Sequence, residues 1–321
     1  MSARRDILDW AEQGRIAPHD LPRALRVGGA HPTAADWRHF VEQLLLWLGT
    51  ALVAAAVVFF VAYNWDALGR FAKLGLVEAL VVAALGVVAW VGLDRAAGKA
   101  ALLAAAVLVG ALFALVGQIY QTGADTFELF AAWGLAILPW ALVGRSAPLW
   151  VLWLAIANLA VTLYYTTFGV LFGLLLGPER LLWVLFGFNT LALVAWEAVG
   201  SRADAGLAAR WAPRLLAAVS GTLVTVLAIF DVVSWRGASG GGIVAWAGWL
   251  GVGYLVYREW RRDLFVLAVG VSSAIAVIVT FVGRHLVGHE AGGFLIVALV
   301  VIGLSAVGTK WLRAVAAEDD R

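Results

Sequence analysis

The chain has 321 residues, 63% hydrophobic and 14% charged, with a mean hydropathy of +0.90. Soluble domains keep roughly 25% of their residues charged, so this composition excludes an ordinary soluble fold. The absence of cysteine excludes disulfides, thiolate metal sites and cysteine nucleophiles. The net charge of +2 comes from arginines that flank apolar runs, which is a pattern of membrane orientation and not a nucleic-acid footprint.

The first 40 residues are the polar part of the chain. "MSARRDILDWAEQGRIAPHDLPRALRVGG" contains no apolar core of the signal-peptide kind, so cleavage is not expected. Pro18, Pro22 and the Gly28-Gly29 pair punctuate it, while Ile7, Leu8, Trp10, Leu21, Leu25 and Val27 form apolar stripes. Two short helices are expected, packed on each other or lying on the membrane surface. Thr33 with Asp36 resembles a capping box, so a helix should start there and run unbroken into the first span. This segment, 1–40, is expected in the cytoplasm as an anchor or adaptor, with a cytoplasmic protein as its possible partner.

Apolar runs near twenty residues long follow, the length that crosses a hydrocarbon core of about 30 Å. They lack the alternation of a strand, so the spans are helices. Ten are predicted: 41–63, 72–93, 99–119, 127–143, 148–165, 180–198, 212–233, 242–257, 262–282 and 292–312. The fold class is therefore all-α, a polytopic transmembrane helix bundle over 41–312 with a polar tail at 313–321. With an even count and the N-terminus inside, 18 of the 23 Lys and Arg fall on the cytoplasmic side, and Arg70, Lys73, Arg180, Arg236 and Arg284 fall outside. That asymmetry predicts both termini in the cytoplasm.

Span three holds Ala106, Gly110 and Ala114 at intervals of four, a ridge suited to close helix packing. Gln118 continues the row and Gln121 lies one turn further on, so both are expected to face protein or a cavity. Other polar groups gather at the same outer level. Span one ends in Tyr63-Asn64-Trp65-Asp66, span five in Tyr164-Tyr165-Thr166, and span seven in Asp231, Ser234, Trp235 and Arg236. Glu78 lies five residues past Lys73, about 7.5 Å deeper at 1.5 Å per residue. Tyrosine and tryptophan belts are ordinary at membrane interfaces, whereas a carboxylate below the interface usually pairs or marks a path.

Three further features carry weaker signals. Asn158 and Asn189, near the middles of spans five and six, read as interhelical hydrogen-bonding groups. "TTFGVLFGLLLGPER" at 166–180 carries Gly169, Gly173 and Gly177, and reads as either a re-entrant half-helix or an extension of span five. "HLVGHE" places His285 and His289 four apart but supplies no third ligand, so two loop histidines of no special role are expected. Gly240–Gly242 reads as a flexible outer turn. No catalytic residue, metal site or cofactor is predicted.

"YNWD" at the end of span one, and "GQIYQTGAD" followed a few residues later by "LFAAWGLAILPWAL", resemble a bacterial family of predicted membrane proteins, domain of unknown function 2157. The resemblance covers roughly residues 1–145. It implies a bacterial inner-membrane location and supplies no catalytic residues.

The leading expectation is a non-enzymatic carrier or channel-like protein with an outward-facing polar pocket. That pocket would be built from Asn64, Trp65, Glu78, Gln118, Tyr120, Gln121 and Asp125 and would receive a small solute or a lipid headgroup. One alternative is an enzyme acting on a lipid-linked substrate at the outer leaflet, with Asp66, Glu78 or Asp125 as general acid or base. Another is a signalling or assembly subunit that binds its partner through residues 1–40.

Overall fold

A computed structural model describes residues 3–29, 34–63, 69–121, 123–168, 178–200, 209–234, 240–286 and 290–319. The described chain is all-helical. Two short helices come first, α1 (Ala3–Glu12) and α2 (Leu21–Val27), and then the long ones begin with α3 (Ala34–Tyr63). The chain continues through α4 (Arg70–Val91), α5 (Ala96–Tyr120), α6 (Thr126–Gly144), α7 (Ala147–Phe168) and α8 (Pro178–Gly200). It ends with α9 (Trp211–Val233), α10 (Gly241–Tyr254), α11 (Leu264–Leu286) and α12 (Glu290–Asp319).

Nine of these helices are long and apolar enough to cross a membrane, among the described residues. The sequence predicted a tenth span at 242–257. There α10 has only 14 residues of α-helix, but a π-helical turn of six, Leu255–Trp260, continues it without a break. Together they reach the length of about 20 residues that a crossing needs. This is a multi-pass membrane protein.

The described residues fall into two compact units, Met1–Ala160 and Val161–Arg321. In the first, α1 and α2 pack on each other, and Ile7 is buried against Gly28. The helix expected from Asp36 onward runs unbroken from Ala34 into the first span, with Asp36 in its first turn. Helix α5 is the hub of this unit and packs against α3, α4 and α6. Its buried residues are mostly small, among them Gly98, Ala100, Ala105, Ala106 and Gly110. The ridge at 106–110 serves the close approach that its spacing predicted. The Trp133 indole of α6 lies directly over Gly110, and its Nε1–H donates to the Ala106 carbonyl at 2.8 Å. Trp153 of α7 repeats the device, donating to the Gly134 carbonyl of α6 at 3.0 Å.

The hub of the second unit is α9, packed against α8, α10 and α11. Gly240–Gly242 is not an open turn. Only Gly240 has positive φ, at 68°, while Gly241 opens α10. Gly242 is buried so closely that a Cβ there would lie 2.5 Å from the Leu227 carbonyl of α9. His285 belongs to the last turn of α11 and not to a loop, with Nδ1 2.8 Å from the Phe281 carbonyl; His289 lies outside the described residues. Gly169, Gly173 and Gly177 lie outside them too, so α7 is described only to Phe168.

Candidate functional site

In the first unit, Glu78 lies in the first half of α4 and Gln118 and Tyr120 at the end of α5, two helices that pack on each other. Val77 of α4 and Leu115 of α5 form one buried contact, with Glu78 next to Val77 in the chain and Gln118 three residues after Leu115. Both side chains are exposed within this unit, as are Tyr120 and Gln121, where the register called for protein or a cavity beside the glutamines. The small-residue row is buried at Ala106 and Gly110 and reaches the surface at Gln118.

Part of "GQIYQTGAD" is turn chemistry. Gln121 ends α5 in the left-handed conformation at φ 44°, and Gly123 follows at φ 66°. Asp125 caps α6 in a reciprocal capping box with Glu128, whose Oε2 accepts the Asp125 backbone N–H at 3.1 Å. Asn64, Trp65 and Asp66 lie outside the described residues, as do Trp235 and Arg236.

The second unit holds a denser set of polar groups, arranged along α9. Ser220, Thr225 and Asp231 are all buried there, and each meets a group from another helix. The Ser220 hydroxyl shares a 2.6 Å hydrogen bond with Thr190 of α8 and accepts the Trp249 indole N–H of α10 at 3.1 Å. The Thr225 hydroxyl donates to its own helix at Gly221, 2.5 Å away. A hydroxyl has one hydrogen, so the 2.5 Å bond between Thr225 and Ser273 of α11 is donated by Ser273. Ser273 in turn accepts from the Trp246 indole at 2.9 Å. At the far end, Asp231 Oδ2 accepts the Ile243 backbone N–H at 3.1 Å, in the first turn of α10. The α10 N-cap is Gly240, which has no side chain, so α9 supplies the missing anionic cap.

At the opposite end of α9 lies an ionic cluster drawn from three helix ends and one connection. Glu197 near the end of α8 accepts from Arg210 at 3.2 Å, Arg261 at 2.5 Å and the Tyr257 hydroxyl at 3.0 Å. Asp263, just before α11, accepts from Arg210 at 2.9 Å and from Arg214 Nε at 3.0 Å. The π-turn matters locally, because Tyr257 sits in it and Arg261 follows directly after. Such turns are frequent at functional sites. Burial alone would raise the Asp263 pKa, but the bonds and charges of Arg214 and Arg210 outweigh it and hold the carboxyl below its ordinary value. Burial likewise works against the Arg210 charge, and Asp263 and Glu197 more than offset it, leaving its pKa raised.

Between the two ends, α9 and α11 bound an open groove of about 470 Å³. Thr222, Thr225, Ser272 and Ser273 supply its hydroxyls, and Val226, Phe265 and Val269 its apolar wall. Thr222 stands at the middle of α9, and Ser272 close to the middle of α11.

Sequence reasoning passed over this seam. Single Ser and Thr in apolar helices are common, and arginines at span ends were counted only as orientation signals. The available signal was the concentration of Ser220, Thr222, Thr225 and Asp231 in one helix. Asn158 and Asn189, read as interhelical groups, each donate to a carbonyl four residues back in their own helix, Leu154 and Leu185, at 2.8 Å.

The family model described as Predicted membrane protein (DUF2157) matches residues 8–150. The match includes the "YNWD" and "GQIYQTGAD" segments and falls within the first unit, while the α9 seam lies beyond it. No curated protein and no solved structure matches the chain.

Proposed function

We propose that this multi-pass membrane protein is a carrier- or channel-like protein without enzymatic activity, and that its solute site is the groove between α9 and α11. The observation that carries this reading is the pair Thr222 and Ser272, two hydroxyls near the middles of their helices that line an open groove of about 470 Å³. Solute sites of membrane carriers lie near the bilayer midplane, where a polar group has little other reason to face outward. Among the described residues no charged side chain lines the groove, so its chemistry suits a small neutral polar solute that exchanges hydrogen bonds with hydroxyls. On the same reading, Glu78, Gln118, Tyr120, Gln121 and Asp125 would form a separate outward polar site in the first unit, open to a solute or a lipid headgroup; Asn64 and Trp65, expected beside them, lie outside the described residues. The protein would sit in a bacterial cytoplasmic membrane with both termini inside, as the Lys and Arg asymmetry supports.

A thermal-shift series on purified protein tests this. Wild type and a Thr222→Val, Ser272→Ala double variant are melted against a panel of neutral and charged small solutes. A ligand of the native state raises the melting temperature with the logarithm of its concentration. A neutral polar compound is expected to stabilise wild type and to lose that effect in the variant. The reading fails if no compound shifts wild type, or if the variant responds equally.

A second reading, an assembly subunit that docks a cytoplasmic protein through α1 and α2, is favoured by one observation. Leu8, Trp10 and Val27 remain exposed on that helical pair, although Ile7 is buried within it.

A further inference from the structure

The ionic cluster of the second unit is layered by charge. Asp263 and Glu197 lie beneath, with only 1% and 14% of their side chains exposed, while Arg210, Arg214 and Arg261 above them are 38%, 45% and 33% exposed. Three guanidiniums thus face outward over one buried and one half-buried carboxylate, and the surface they present is cationic. Arg214 engages Asp263 through Nε alone among the described residues, which leaves its two terminal amino groups available to a further acceptor. A guanidinium has five donors in a planar fork, the shape that matches a phosphate.

The position of the cluster specifies where that phosphate would come from. Glu197 is near the end of α8, Arg210 and Arg214 open α9, Arg261 follows the π-turn, and Asp263 precedes α11. Helices α8, α9 and α11 are each of membrane-crossing length, which puts their ends at the level of the lipid headgroups. Trp211 and Trp260 flank the arginines in the chain and are exposed, Trp260 by 85%, as interfacial anchors are.

We propose that Arg210, Arg214 and Arg261 form a binding site for the phosphate of an anionic phospholipid headgroup. Asp263 and Glu197 hold the three guanidiniums in place before the lipid arrives, so little side-chain entropy remains to be lost on binding. Basic pockets between membrane helices take anionic headgroups in this way, and each arginine near the surface contributes about fivefold in affinity.

The experiment uses the purified full chain in neutral detergent, doped with phosphatidylglycerol, with phosphatidylcholine or with inorganic phosphate. Melting temperature and lipid retention in native mass spectra are followed together. Wild type is expected to gain stability with phosphatidylglycerol alone and to retain it selectively. Arg214→Gln should weaken that response about fivefold or more. Arg70→Gln, in the first unit, should leave it unchanged. Equal responses to phosphatidylglycerol and phosphatidylcholine in wild type overturn the site, and this arm needs no variant. An Arg214→Gln protein that melts cooperatively and responds like wild type also overturns it. Stabilisation by inorganic phosphate with no lipid preference overturns the lipid assignment in favour of a soluble phosphate ligand.

Discussion

Each unit is organised on one helix that sets a glycine under an indole, yet the two indoles bond to different acceptors. In the first unit Trp133 covers Gly110 of α5 and donates to a backbone carbonyl, that of Ala106. In the second, Trp249 covers Gly221 of α9 and donates to a side chain, the Ser220 hydroxyl. A helix carbonyl is present at every residue and already bonded, so the first arrangement demands no polar side chain in the apolar interior. A hydroxyl must be placed there and kept satisfied, which the second unit does with Thr190 on the other side. Along the two hub helices the same contrast holds: α9 buries Ser220, Thr225 and Asp231, whereas α5 buries only Gly, Ala and Leu. The packing of α5 rests on shape and that of α9 on partnered polar groups, so the two should fail under different substitutions.

The largest effect is expected at Asp263. Asp263→Asn keeps the outline of the side chain and removes the charge that Arg210 and Arg214 both engage. Two charge-assisted bonds would carry about 3 to 6 kcal/mol between them. Both guanidiniums reach solvent, so the loss should fall at the lower end, about 3 kcal/mol, read as a lower unfolding midpoint in SDS titration. The pH dependence sharpens the test. The folded carboxyl titrates below its unfolded value of about 3.9, so its stabilisation is complete above that value and is lost as pH falls through the folded one. The gap between wild type and Asp263→Asn should stay constant from pH 7 to about pH 4 and close below it. A gap that closes between pH 7 and 5 would show that another group controls the cluster.

The predictions at Asp263 concern a part of the molecule that the sequence did not announce, and the reason is physical. Span positions were legible because burial in lipid imposes a length of about 20 apolar residues on every crossing helix. For the same reason α3 could be followed from Asp36 to its end, and α10 could be expected although its last turns are π-helical. Local punctuation was legible in kind but not in role. Gln121, Gly123 and Asp125 stood out as polar, yet a left-handed stop, a positive-φ turn and a helix cap need exactly such residues without any ligand. The cluster itself was not legible. Glu197 and Arg210 are 13 residues apart and Arg210 and Asp263 are 53, and the three meet only once α8, α9 and α11 are packed.

The two glycines under indoles offer the next test. A Cβ on Gly110 would lie 2.4 to 2.6 Å from three atoms of the Trp133 ring, and that ring is pinned by its bond to Ala106. A Cβ on Gly221 meets Trp249 at 2.7 Å and Val269 at 3.1 Å, a looser fit. Overpacking costs about 1 to 3 kcal/mol, so Gly110→Ala should lose about 2 and Gly221→Ala about 1. Equal losses in the same SDS titrations would mean that shape matters no more to the first unit than to the second.

The smallest effect separates site from architecture in the first unit. Gln118 is exposed at the point where the buried ridge of α5 reaches the surface. An exposed glutamine that plays no part in packing can be exchanged for leucine within about 0.5 kcal/mol. Gln118→Leu should therefore leave the unfolding midpoint nearly where it is, and a solute or headgroup bound at the outward polar site should then lose affinity without any loss of stability. A drop of 1 kcal/mol or more, on the order of a lost interhelical hydrogen bond, would instead make Gln118 a packing residue. That site would then be structural, and the hydroxyl groove of α9 and α11 would stand as the place to look for a solute.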